Sequence, residues 1–371
     1  MFDDLQLVKM SVRILRFWSL IYDHNWSRYI CLSMGTFLVL SQFYYMFGTS
    51  EGFQAKIKNS YALVLWFSTI LRGYLLTYDR QKYEEFLSDL ENLYYDLKKS
   101  KHKHIQRLLI EVNLTGKNMA RGNLFLGFCT CIGLTFYPLL TSERVLPYGS
   151  MIPGIDEYKS PYYEFCYIYH VVVTPMGCCM YIPYTSLIVA FIMFGIVMCK
   201  SLKYRLETLQ FMRHDDLLLH KNIKECIQYQ LRIIDYIKRI NDLTTYVFLV
   251  EFLAFGALLC ALLFLLISVK TFPERIITCA YITMILAQIL ALYWYANELQ
   301  EESFAIAATA FETEWYTYPI PIQKHMLFII MRAQKPPAIM MGHIYPISLQ
   351  LFQSLLNAAY TFFSLLRGIY V

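Results

Sequence analysis

From Phe165 to Cys199 the chain carries no aspartate, glutamate, lysine or arginine. A run well beyond the ~20 residues that carry a helix across a hydrocarbon core has no stable place on a water-facing surface. In lipid, only a helix or a closed barrel satisfies its own backbone hydrogen bonds. The run therefore predicts a helix that spans a bilayer and projects beyond it, with Pro175 and Pro183 as kink points. Six further apolar stretches lie at about 29–47, 60–78, 122–140, 243–269, 276–296 and 346–370. The expected fold is an all-α membrane protein of seven transmembrane helices.

Composition narrows the function. The chain is 57% hydrophobic and 16% charged, against about 25% charged in soluble domains. A soluble enzyme is set aside. The net charge of +5 is modest, and no basic-aromatic patch points to nucleic acid. Most of the ten cysteines fall inside apolar runs, where free buried thiols are the default. No catalytic set, cofactor or metal centre is read from the histidines and carboxylates.

An odd number of spans puts the two ends on opposite sides. The N-terminal segment and the connections between spans 2 and 3, 4 and 5, and 6 and 7 hold 25 Lys and Arg; the other side holds seven. The positive-inside rule then predicts a cytosolic N-terminus and an extracellular C-terminus. That is the reverse of a G-protein-coupled receptor. Span 3 also lacks a closing acidic-Arg-Tyr triplet, and span 7 reads Asn357-Ala-Ala-Tyr360 without a proline. A transporter would show inverted repeats, and none is visible. The organisation read is 1–296 as spans 1 to 6 with cytosolic helical extensions, 297–345 as a cytosolic anchor helix, and 346–371 as the closing span. Residues 1–28 are amphipathic and are expected at the membrane surface. Gln350, Ser354, Asn357, Thr361 and Ser364 share one face of span 7. A polar stripe in lipid needs another helix or a water-filled conduit beside it.

The segment before and within span 7 carries a family resemblance. It has Trp315-Tyr316, Lys324, Arg332, Gln334-Lys335-Pro336, Gly342, Pro346, Ser348 and Phe352, and closes on Tyr360-Thr361, Phe363 and Leu365-Leu366-Arg367. This pattern resembles the C-terminal signature of insect odorant receptors. The resemblance implies an odorant-gated, non-selective cation channel in the plasma membrane of olfactory sensory neurons. It implies a heterotetramer in which an odorant-specific subunit joins a shared co-receptor. It places Trp315, Tyr316, Lys324, Arg332 and Lys335 in the anchor where subunits meet. It places Asn357, Tyr360, Phe363, Ser364, Leu366 and Arg367 along the pore. The co-receptor has an aliphatic residue where Arg367 aligns, and four arginines would oppose cations, which favours a heteromer. The connection 200–242 lacks the co-receptor's long insertion, so the tuning subunit is expected. A gustatory-type channel of the same superfamily is the nearest alternative, but its closing Gln-Phe is absent.

A small-molecule pocket is expected in the outer half of the bundle, where aromatics mix with a few small polar groups. The candidates are Val64, Phe67, Ser68 and Leu71 in span 2, and Thr130, Gly133, Phe136 and Tyr137 in span 3. In span 4 they are His170, Val173, Thr174, Gly177, Cys178 and Tyr181, and in span 6 Tyr281 and Ile285 with Met284 and Gln288 beside them. Ordinary helix packing is the competing reading for each. Apolar walls with one hydrogen bond, from Tyr137, His170, Thr174 or Ser68, suit a small neutral aromatic or heterocyclic volatile. Arg72 is expected to snorkel or pair. The Pro-rich loop at 141–164 fits either a lid or an exposed connection.

Overall fold

The computed structural model describes residues 2, 4–23, 26–48, 53–100, 102–140, 144–212, 216–269 and 272–370. Among these, the first half forms α1 (Gln6–Phe17), α2 (Ser27–Gly48), α3 (Phe53–Tyr78), α4 (Arg80–Lys98) and α5 (Lys103–Phe136). The second half forms α6 (Tyr162–Thr208), α7 (Asp216–Ser268), α8 (Phe272–Glu312), α9 (Ile320–Ala333) and α10 (Leu349–Tyr370). A short antiparallel hairpin, β1 (Met340–Met341) and β2 (Tyr345–Pro346), pairs Met340 with Pro346.

Five helices, α2, α5, α6, α7 and α8, are long and apolar enough to cross a membrane. Two more run with them. The helix α3 packs on α2 and α7, and α10 packs on α7 and α8. Both carry polar groups within their apolar stretch, Arg72 in α3 and a stripe of amides and hydroxyls in α10.

The centre of the bundle is α6. Every residue from Leu187 to Cys199 is buried, because α5, α8, α1 and α7 all pack on it. At 47 residues it is about 70 Å long, more than twice a ~30 Å hydrocarbon core. The expected overrun is real, and the helix continues through Pro175 and Pro183 without a break. We call the end bearing loop 144–161 the outer end. The end bearing α4, α9 and the long extensions of α5 to α8 is the inner end.

The N-terminal helix departs from expectation. Leu7, Val8, Val12 and Leu15 of α1 are buried against α5 and α6, so its apolar face is covered by protein rather than lipid. Gly116 permits this contact: a Cβ there would lie 2.0 Å from Leu7 Cδ1. The Asn113 side chain accepts the Leu7 amide at 3.1 Å.

The inner layer is held by side chains of α7. Gln230 Nε2 donates to Ile329 O of α9 at 3.1 Å. Asn241 takes the Met340 amide on Oδ1 and gives Nδ2 to Ala338 O, both at 2.8 Å. The hairpin turns at Gly342, whose φ of +57° suits glycine and whose amide donates to Thr245 O at 3.0 Å. The division read between residues 296 and 297 falls inside α8, which runs unbroken from bundle to inner layer.

Candidate functional site

A cavity of about 50 Å³ sits among α3, α5, α6 and α8. The structure brings Thr130, Thr174, Gly177, Cys178, Tyr181 and Tyr281 together on it. Gly127 and Gly177 make it possible. A Cβ at Gly177 would lie 2.4 Å from Trp66 Cη2, and one at Gly127 would lie 2.1 Å from Ile182 Cδ1. Small residues here let the Trp66 indole and the α5 backbone approach α6 closely.

The α3 face differs from the sequence reading by about one helical step. Leu65, Trp66 and Thr69 line the cavity. Phe67 is 43% exposed and points outward, while Val64 and Leu71 are half-buried off the cavity. Ser68 is buried, with no hydrogen-bond partner for its hydroxyl among the described residues. On α5, Phe136 is 58% exposed, and a Cβ at Gly133 would meet only Ile277, at 3.7 Å. Tyr137 lies just past α5, where its hydroxyl donates to Glu274 Oε1 at 2.6 Å. Val173 and Ile285 are fully buried in the core. His170 is buried behind the cavity, its ring 5.4 Å from that of Tyr148.

Tyr148 is the wall that the sequence reading missed. It comes from the outer loop and lines the cavity, its ring edge-on to Trp66 at 6.1 Å. The Thr174 hydroxyl has two acceptors in reach, His170 O at 2.6 Å and the Tyr148 hydroxyl at 3.1 Å. The same loop buries Leu146, Ser150 and Glu157. The Ile152 amide donates to Glu157 Oε1, and burial holds that carboxyl above its ordinary range. Cys131, Cys178 and Met284 add a soft sulfur wall, a surface that favours aromatic ring edges.

Among the described residues, no charged one lines the cavity. Directly beneath it, Tyr181 stacks on the Arg72 guanidinium, 4.0 Å from the ring centre. Arg72 does not snorkel. Its Nε is ion-paired with Glu251 of α7, and its Nη1 donates to Thr185 Oγ1 at 2.6 Å and Tyr181 O at 3.3 Å. Both ionic side chains are buried, at 4% and 6% exposure. One network thus ties α3, α6 and α7 together below the cavity.

The helix α7 also carries α10. Leu355, Ala359 and Phe363 of α10 are buried, Phe363 against Cys260 and Phe264, and Phe352 packs on Tyr293 of α8 at 5.8 Å. Of the expected pore residues, Asn357, Tyr360, Ser364 and Arg367 are exposed on the other side, with Gln350, Ser354 and Thr361. Phe363 faces inward onto α7, because it sits a turn from the buried Ala359. The Leu366 side chain lies outside the described residues. In the expected anchor, Tyr316, Lys324, Arg332 and Lys335 are exposed and Trp315 is half-buried. Ile320, Phe328 and Met331 are exposed near them.

Comparison with known proteins fits these observations. The family model of the 7tm odorant receptors matches residues 53–360. Odorant receptor 30a of Drosophila melanogaster is 42% identical over 97% of this chain and 96% of its own. Odorant receptor 10 of Aedes albopictus is 40% identical over 98% of each. The solved structure of the olfactory receptor OR5 from Machilis hrabei, in complex with eugenol, superposes with a TM-score of 0.87 at 16% identity, covering 99% of both chains. That likeness identifies α2, α3, α5, α6, α7, α8 and α10 as the seven membrane helices of one shared fold. The family match and these relatives remove the G-protein-coupled receptor, transporter and gustatory alternatives. The chain is a member of the insect odorant receptor family, ligand-gated cation channels of the membrane and not enzymes.

Proposed function

We propose that this chain is the odorant-specific subunit of a heteromeric cation channel, and that its ligand is a small neutral aromatic or heterocyclic volatile. The observation that carries this reading is an uncharged aromatic cavity whose floor, Tyr181, stacks on a buried ion pair to α7. Apolar walls with soft sulfur and few hydrogen-bonding groups exclude amino acids and ions. The OR5 complex with eugenol supports a small organic ligand at such a bundle.

The cavity, about 50 Å³, is smaller than the ~150 Å³ that accommodates a benzene ring in an apolar core. A ligand therefore enters only as Trp66, Tyr148 or Tyr181 gives way. Displacing Tyr181 shifts Arg72, hence Glu251 and α7, hence the seat of Phe363. Such a ligand opens the pore only by binding the open state more tightly. A complete switch from 1:99 to 99:1 needs about 5.5 kcal/mol of differential binding, so the closed state is only modestly favoured.

In this reading the inner end is cytosolic, the outer end faces the outside of an olfactory neuron, and the polar face of α10 lines a shared pore. The exposed Tyr316, Lys324, Arg332 and Lys335 meet the co-receptor. Arg367 near the outer end of α10 disfavours four copies around one axis.

The test is whole-cell current from cells expressing this chain with and without an insect co-receptor, under a panel of small aromatic volatiles and with G-protein signalling blocked. A fast cation current that needs both chains supports the proposal. Current from this chain alone would overturn the heteromer. Silence with both chains at the surface, across the panel, would overturn the ligand class.

A further inference from the structure

Three sulfur-bearing side chains line the cavity described above, one from each of three helices: Cys131 on α5, Cys178 on α6 and Met284 on α8. Side chains on a helix lean toward its N-terminus. The helices α5 and α6 run in opposite directions, joined through the outer loop, so the two thiols lean toward each other. They meet: the free Cys131 and Cys178 thiols are hydrogen-bonded. Each also lies against the other's helix. Cys131 Sγ is 4.0 Å from Thr174 O, and Cys178 Sγ is 2.9 Å from where a Cβ at Gly127 would sit. The third sulfur rests on the same turn of α5, where Thr130 Oγ1 lies 2.7 Å from Gly127 O and 3.6 Å from Met284 Sδ. The missing side chain at Gly127 is what lets the sulfurs gather.

The space beside them, about 50 Å³, takes a single ion with every wall in place, whereas an odorant must displace one. The donor set decides which ion. Among the described residues, neither a carboxylate nor an imidazole lines the cavity. Gln288, which the sequence reading grouped with this pocket, lies one turn inward of Met284 on a separate space and lends it no amide. Calcium and magnesium need oxygen ligands. Zinc takes Cys, His, Asp or Glu, three or four of them, and finds two. Thiolate and thioether together select Cu(I). Charge points the same way, because a monovalent ion on one thiolate is neutral and leaves no net charge in a membrane interior.

We propose that Cys131, Cys178 and Met284 form a binding site for one soft monovalent metal ion of the Cu(I) class. One thiol gives its proton to water as its sulfur bonds the metal. The second thiol and the Met284 thioether coordinate through lone pairs, and the metal keeps its oxidation state. An ion held there ties α5, α6 and α8 together at the cavity. The site stands whether or not the ligand class proposed above is right, since it is read with no odorant present.

The probe is Cu(I) alone, added without oxygen to the purified full-length chain in lipid nanodiscs, with bicinchoninate as the competing chelator to strip copper from isolated thiols. Expected: the parent withholds one Cu(I) per chain from the chelator. Cys131→Ser and Cys178→Ser each lose that ion, and Cys279→Ser, which removes an exposed thiol of α8, keeps it. Met284→Leu conserves volume and binds about tenfold more weakly, no less than the loss of an outer-shell partner costs a metal site. The apparent affinity of the parent rises about tenfold per pH unit as the single proton leaves. X-ray absorption on the loaded parent, which needs no variant to fold, shows sulfur alone around the copper. Retention of the ion in either serine variant, unchanged affinity in the leucine variant, affinity independent of pH, or nitrogen or oxygen neighbours in the absorption spectrum would each overturn the site.

Discussion

Consider Glu251→Gln. Among the described residues the carboxylate of Glu251 is the only anion paired with Arg72, and both side chains are removed from water. Removing one partner of a buried pair costs about 3–5 kcal/mol, because the remaining charge is left uncompensated. Glutamine keeps an acceptor near Arg72 Nε. The guanidinium also keeps Thr185 Oγ1, Tyr181 O and the Tyr181 and Tyr184 rings at 4.0 and 5.4 Å. The expected loss is therefore at the low end, about 3 kcal/mol. Arg72→Met alone leaves a carboxylate in the core and costs as much. The double variant Arg72→Met with Glu251→Leu has no charge to bury, so its stability returns to within about 1 kcal/mol of the parent. The assay has two parts, thermal unfolding of purified receptor and odorant-evoked current at matched surface density. The double variant should fold and reach the surface, yet respond with a reduced maximal current, because the Tyr181–Arg72–Glu251 path to α7 is gone. If the double variant were as unstable as either single one, uncompensated charge would not be the cause. If it conducted like the parent, the route from cavity to α10 would lie elsewhere.

Gly177→Ala drives a Cβ into Trp66 and should cost about 1–3 kcal/mol of overpacking while reordering the ranking of ligands in a dose–response panel. Gly133→Ala meets only Ile277, at an ordinary contact of 3.7 Å, and should leave that ranking unchanged, with a helix-propensity gain of up to about 1 kcal/mol; a changed ranking would return Gly133 to the pocket. Asn241→Ala strips two hydrogen bonds from the hairpin and should lower stability by about 1–3 kcal/mol, read as faster amide exchange at residues 338–346. The raised pKa of Glu157 means that the packed loop disfavours the carboxylate relative to the open loop. The penalty is full above the packed-loop pKa and vanishes below the open-loop value, so loop closure strengthens as pH falls through that window. Glu157→Gln should remove this dependence, measured as exchange protection of 144–161 corrected for intrinsic rates; an unchanged slope would refute it.

Crossings were legible because lack of charge over twenty residues has one solution in lipid. Facing was less so. In α6 the small and polar residues at 174, 177, 178 and 181 mark one side, and that side does line the cavity. In α3 apolar residues run round most of the helix and Ser68, Thr69 and Arg72 fix its register only loosely, so Phe67 reads as inward where Trp66 is the residue that points inward. What fixes Trp66 is the absent side chain at Gly177 on another helix, a relation between distant positions that no local pattern holds. Tyr148 was invisible for the same reason: a loop residue reaches the cavity only through the tertiary path of its chain. The stripe on α10 was readable as a stripe, and its exposure in the single chain follows. The register of Phe363 was not, since an aromatic beside a polar face suits either a pore or a packed seam.

The unbroken helices α6, α7 and α8 impose a rule on how such receptors can diverge. A single inserted residue rotates everything beyond it by about 100° and shifts it by about 1.5 Å. An insertion near Thr174 would swing Lys200 away from Glu298, and one near Tyr281 would unseat Phe352 from Tyr293. Length change in these rods is thus paid at the opposite end of the molecule. A lineage of such proteins must vary its chemical tastes by exchanging side chains in place, and must confine insertions to the outer loop and to the joint between α6 and α7.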